Sequence, residues 1–300
     1  MAVSNSLAKR SKETSFTAYL KNDAVVNQIN SVVGGKNGQR FISAIVSAVG
    51  NNSTLQECEN SSIVSAALLG ESLNLSPSPQ LGQYYMVPFK DNKAGIKVAQ
   101  FQLGYKGYIQ LAIRSGYYKR LNVLAIKEGE LIRFDPLNEE IEVTLIADES
   151  EREKAKTIGY YAMFEYTNGF RKVMYWSKEK MQAHALKYSK GYAADIEKGT
   201  KWTFWSKDFD GMAYKTMLRQ LISKWGIMSI EMQTAMDNDM AVINEDGTHT
   251  YVDSEPVEQQ EYEEVSVQEG QNAVVQEQSQ NNSIPEETPV GNATATPTTN

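Results

Sequence analysis

No lysine or arginine follows Lys224 in this chain of 300 residues. Residues 225–300 carry 15 Asp and Glu and stand at −15, while residues 1–224 hold all 30 Lys and Arg against the other 22 acids and stand at +8. The overall charge of −7 averages over these two unlike parts. From about Asp237 the apolar residues thin out, and Gln, Asn, Glu, Ser, Thr and Pro take over. Such a stretch cannot bury enough surface to offset its chain entropy. The fold is therefore expected in residues 25–236, between a flexible N-terminus (1–24) and a disordered acidic tail (237–300). A short helix over 265–278, acting as a partner-binding patch, is the ordered alternative within the tail.

Charge asymmetry of this kind points the basic part toward nucleic acid or a membrane. The plainer alternative is a tail that only aids solubility. No window holds 18 successive apolar residues, so no membrane-spanning segment is expected. Met1 to Arg10 has charges without an apolar core behind them, unlike a secretory signal. One cysteine, Cys58, excludes an internal disulfide and multi-thiolate zinc. It lies among polar residues without a nearby histidine, which argues against a nucleophile. The two histidines, His184 and His249, are too far apart in sequence to suggest a metal site or a triad. The expectation is a soluble, cytoplasmic protein of a reducing compartment, without a cofactor.

Apolar residues recur at helical spacing through 24–50, in Val25, Ile29, Val32, Phe41, Ile45 and Val49. The run Gly34-Gly35-Lys36-Asn37-Gly38 should split this stretch into two helices. It lacks the residue order of a phosphate-binding loop. Ser61 or Ser62 could cap a third helix, ended by the prolines at 77 and 79. Strands are expected over 83–89, 97–103, 121–127, 141–146, 157–166 and 170–176, with Asn168-Gly169 as a two-residue hairpin turn. Helices are expected over 104–115, from Ser177 to about 189, and over 209–225, with a loop at 190–201. The pattern is α+β: an antiparallel sheet flanked by helices.

Residues 92–127 hold seven basic residues and no acid, with Phe101, Tyr105, Tyr108, Tyr117 and Tyr118 interleaved. On a helix from Gly104, Lys106, Gln110 and Arg114 share one face. Residues 170–224 add 12 basic residues against 5 acids. There Lys215 and Arg219 stand one turn apart beside an apolar stripe, with Thr216 adjacent, and Lys201 and Trp202 lie in the preceding loop. Two such helices on one sheet would form a groove with positive walls. Cations neutralise phosphates, amides bond their oxygens, and aromatic rings stack on bases. The candidate contacts to phosphate are Lys106, Arg114, Lys119, Arg120, Lys201, Lys215 and Arg219. Tyr105, Tyr108 and Trp202 are stacking candidates, with core packing as the alternative for the tyrosines. Gln100, Gln102 and Thr216 would add neutral hydrogen bonds. Asp208 and Asp210 could hold a metal or cap a helix.

The run 81–89, LGQYYMVPF, is followed by Gln102-Leu103-Gly104-Tyr105-Lys106-Gly107 and Arg114-Ser115-Gly116, then Trp205 and Met212 through Arg219. Together, over about 25–230, these segments resemble the RecT family of phage recombinases. The resemblance implies ATP-independent binding of single-stranded DNA and annealing of complementary strands through a duplex intermediate. It implies a homo-oligomer, as a ring or helical filament, working beside a phage exonuclease and a host single-strand binding protein. A plain single-strand protector and a metal-dependent nuclease are the rival classes.

Overall fold

Local capping sets the first helical layer. The computed structural model describes residues 15–91, 94–243 and 249–250. Ser15 caps the short α1 (Phe16–Tyr19), and the Asn22 side chain accepts from the Ala24 N–H at 2.9 Å to start α2 (Asp23–Val33). Residues 15–24 are thus not loose: Leu20 is buried, and Phe16 and Tyr19 pack on the core. The break before α3 (Gly35–Gly50) shrinks to Gly34, whose φ of 76° suits glycine. Val25, Ile29, Phe41, Ile45 and Val49 are buried, while Val32, near the end of α2, is exposed. A 3₁₀ turn (Leu55–Glu57) precedes α4 (Asn60–Ser72). Ser62 is not its cap; its hydroxyl donates to the Glu59 carbonyl at 2.7 Å and accepts from the Ala99 N–H at 2.9 Å.

Strands β1 (Tyr84–Asp91) and β2 (Ile96–Leu103) form an antiparallel hairpin, registered from Tyr84↔Leu103 to Asp91↔Ile96. Helix α5 (Tyr105–Ser115) follows and ends at the left-handed Gly116. The approach of 82–83 to this helix explains the Gly-Tyr-Lys-Gly order. A Cβ on Gly104 would lie 2.1 Å from the Gly82 carbonyl oxygen, and one on Gly107 2.2 Å from that of Gln83. Backbone cannot yield cheaply, so Gly107→Ala should destabilise the protein by about 1–3 kcal/mol. A urea midpoint matching that of the parent would refute this close contact.

A three-stranded antiparallel sheet comes next, in the order β3-β6-β7, built from β3 (Tyr118–Lys127), β6 (Thr157–Tyr166) and β7 (Arg171–Ser177). Between β3 and β6 lie the hairpin β4 (Leu131–Asp135) with β5 (Glu140–Val143) and helix α6 (Glu149–Lys154). Strand β4 was not evident in the sequence. The buried Glu130 holds this insertion, accepting from the Lys127 N–H at 2.7 Å, the Ile146 N–H at 3.2 Å and Arg152 Nε at 2.6 Å. The β6–β7 turn is not the two-residue form. Gly169 has positive φ but Asn168 does not, and the Tyr166 N–H donates to the Phe170 carbonyl at 2.8 Å, which makes a three-residue loop.

Helices α7 (Lys178–Tyr188), α8 (Lys190–Lys198), α9 (Phe204–Lys207), α10 (Phe209–Trp225) and α11 (Ile230–Asp237) complete the body. Most of the loop expected at 190–201 is helix, because Ser189 caps it at Tyr192 and Gly199 stops it. Two apolar clusters meet on α10. Leu218 and Ile222 face the first, among α2–α5 and the β1–β2 hairpin, while Ala213, Met217 and Leu221 face the second, under the three-stranded sheet.

The body runs past the boundary expected at 237. Asn238, Asp239, Ala241 and Val242 are buried. The Met240 N–H donates to the Phe101 carbonyl at 2.9 Å, and the Phe101 N–H donates to the Ala241 carbonyl at 3.1 Å. Short strands β8 (Val242–Ile243) and β9 (His249–Thr250) pair beyond it. The expected helix over 265–278 lies outside the described residues.

Candidate nucleic-acid interface

Strand pairing places cations in a row. Arg120 of β3 pairs with Glu165 of β6, and Glu165 pairs with Arg171 of β7. The register slips between Tyr118 and Arg120, so Lys119 is an extra residue opposite the same partner strand. That bulge lets consecutive residues reach one carboxylate. Lys119 Nζ lies 2.6 Å from Glu165 Oε1, and Arg120 Nε lies 3.7 Å from Oε2. The Lys119 ammonium bonded to Glu165 holds its carboxyl below the usual carboxylate range, and Arg120 and Arg171 add to this.

The row borders an open groove of about 660 Å³ between α5 and the sheet. Ile109 and Ile113 of α5 form one wall, and Asn122, Tyr161 and Met163 of the sheet also line it. Ile113 is 60% exposed. Three cations and one carboxylate at an apolar and aromatic trough can hold a polyanion whose other parts are flat and apolar.

The structure sorts the sequence candidates. Lys119, Arg120, Lys106 and Lys201 are exposed, and Lys119 and Arg120 share the groove. Lys106 sits in the first turn of α5, its ammonium 5.9 Å from the centre of the Tyr105 ring. Trp202 is 40% exposed. Its loop is organised by the buried Asp195, which accepts from the hydroxyls of Thr200 (2.7 Å), Thr203 (2.7 Å) and Ser206 (2.6 Å) and from the N–H groups of Trp202 (3.1 Å) and Thr203 (2.8 Å). Burial alone would raise the Asp195 carboxyl; these donors outweigh it and hold it well below the usual range.

The other candidates do not line this groove. Gln100, Gln102 and Tyr108 are buried, because both faces of β2 and the inner face of α5 are covered. Burial pushes the Tyr108 phenol well above its ordinary value. Lys215 is buried too, with its ammonium 2.8 Å from Asp239 Oδ1, and Arg219 Nη1 lies 2.7 Å from Asp239 Oδ2. The same Oδ1 accepts from the Leu103 N–H at 2.9 Å. Lys215 thus belongs to an internal knot, which the part-exposed Arg219 joins from one side. Arg114 donates to the Leu73 and Asn74 carbonyls at 2.7 and 3.2 Å, closing the end of α4. Thr216 donates to the Met212 carbonyl one turn back. Tyr105 is half-buried, edge-on to Tyr214 at 5.5 Å. Asp208 caps α10 through the Gly211 N–H at 2.8 Å, and Asp210 accepts from the Tyr160 hydroxyl beside Lys178. Among the described residues no three His, Cys, Asp or Glu side chains cluster as metal ligands, and no helix is long and apolar enough to cross a membrane.

Arg171 and Glu165 are the charged groove residues missed from sequence, along with uncharged lining such as Asn122 and Tyr161. The alternation of β6 and β7 assigns Glu165 and Arg171 to one face, but only the pairing register brings them together.

Comparison with known proteins covers most of the described residues. The RecT family model matches residues 39–283, which runs past the resemblance seen at 25–230 and into the acidic region. The chain is 37% identical over 281 residues to the uncharacterized protein YqaK of Bacillus subtilis (strain 168), covering 89% of this chain and 92% of that one. It is 29% identical over 204 residues to Protein RecT of Escherichia coli (strain K12), covering 67% of this chain and 71% of that one. With the family pattern spanning the groove, the second core and the Asp239 knot, the chain belongs to the RecT family.

Proposed function

We propose that this protein binds single-stranded DNA along the groove between α5 and the three-stranded sheet and anneals complementary strands, without nucleotide hydrolysis, in phage-type recombination. It does so as a DNA-bound oligomer. The observation that carries the reading is the cross-strand row of Lys119, Arg120 and Arg171 beside an exposed apolar wall. Cations on a rim grip the phosphodiester backbone and carry no sequence information. An annealer needs that neutrality, because base pairing between the two strands must supply the specificity. Lys106, Lys201 and Trp202 extend the candidate contacts beyond the groove.

Lys119→Ala, Arg120→Ala and Arg171→Ala should each weaken binding to single strands of any sequence. The slope of log affinity against log salt should fall by roughly 0.7 for each phosphate that is no longer neutralised. Fluorescence anisotropy across a salt series measures both. Affinity and slope unchanged in all three variants would remove the groove from the function. Mixing labelled complementary strands separates the rival classes: an annealer speeds duplex formation, a protector slows it, and a nuclease shortens the strands when magnesium is added.

A further inference from the structure

The groove contains one acid among its three cations, and its placement is specific. Glu165 is the central residue of the row, with Arg120 on one neighbouring strand and Arg171 on the other. The β3 bulge adds Lys119 to the same carboxylate. The Glu165 side chain is 16% exposed, so water and ligands reach it. Asp239 also joins two cations, but its side chain has no exposure, and its partner Lys215 is itself buried. Glu165 is thus the acid in the row that an incoming anion can replace. A carboxylate and a phosphodiester each present two acceptor oxygens with one negative charge to the same donors.

We infer that Glu165 is a built-in competitor for DNA: its carboxylate occupies a phosphate subsite formed by Lys119, Arg120 and Arg171, and a backbone phosphate must displace it to bind. This rests on the groove reading above and deepens it. In the free protein the carboxylate holds mutually repelling cations together, so the subsite is formed before DNA arrives. In the complex the displaced carboxylate repels the phosphate and stands ready to return. Binding is weaker than three cations alone would give, and release is faster. An annealing protein benefits from this, because a strand held too tightly cannot shift register in search of its complement.

Glu165→Gln tests the inference, since it keeps size and removes charge. Binding of a fluorescent oligo-thymidylate should tighten roughly fivefold at low salt, the effect of removing one like charge at contact distance in a water-exposed site. The salt slope should steepen by roughly 0.7, as one more cation becomes available to phosphate. Dissociation into excess unlabelled strand should slow by a similar factor. Glu153→Gln, which removes the same charge from α6, controls for net charge. Glu165→Gln binding that is weaker than the parent's, or no tighter than that of Glu153→Gln, overturns the competitor role and leaves Glu165 a brace. The two readings fail separately. If Arg120→Ala and Arg171→Ala weaken binding while Glu165→Gln does not tighten it, the groove stands and the competitor falls. If neither arginine variant changes binding, the groove itself is refuted as the DNA site.

Discussion

Asp239→Ala should destabilise the protein by about 3–5 kcal/mol, a large part of the roughly 5–15 kcal/mol that holds a typical domain together. The carboxylate is buried and joins three donors: the Leu103 N–H, the Lys215 ammonium and the Arg219 guanidinium. Removing it leaves an ammonium in the interior without its counter-ion. The Lys215 side chain is only 8% exposed, so water cannot take over. The urea midpoint should fall sharply, and Asp239→Asn, which keeps an acceptor for Leu103, should fall less. Lys215→Ala should likewise act on stability first. A chain ending after Asp237 lacks Asp239 together with the backbone bonds to Phe101, and should behave like Asp239→Ala or worse. A chain ending after Thr250 keeps all of these interactions. Equal midpoints for the two truncations would show that the knot contributes nothing.

The second large effect is expected from Asp195→Ala. It removes an acceptor shared by five donors in 200–206 and should cost about 2–4 kcal/mol while loosening the loop that presents Lys201 and Trp202. The same group gives an acid dependence whose sign follows from the direction of its shift. Its folded-state value is depressed, so its stabilisation is complete above the unfolded value of about 4 and is lost as pH falls from there toward the folded value. The parent should therefore lose stability below about pH 4 more steeply than Asp195→Ala, and the gap between them should narrow with acidification. Parallel stability curves for the two proteins from above about pH 4 to well below it would exclude this assignment.

Periodicity and punctuation determined much of this protein. The apolar spacing of 24–50, the Ser177 cap, the α5 helix with its buried Ala112, and the long α10 were legible, because they rest on interactions within a few residues; Ile113, whose spacing also predicts burial, is instead exposed. The excess of base over acid before Lys224 was legible too, being a count. What the sequence could not show is which cations are free. Lys215 and Arg219 have the spacing of a phosphate track, yet they meet a carboxylate 20 or more positions away. Asp239 itself looked like the start of an acidic tail, since a lone acid among polar residues carries no mark of burial. Lys119, Arg120 and Arg171 became one site through a bulge and a register, which strand pairing sets over more than 40 residues. Charge belongs to the residue, but availability belongs to the fold: a cation's strongest partner is the nearest carboxylate in space, and only tertiary structure decides which one that is.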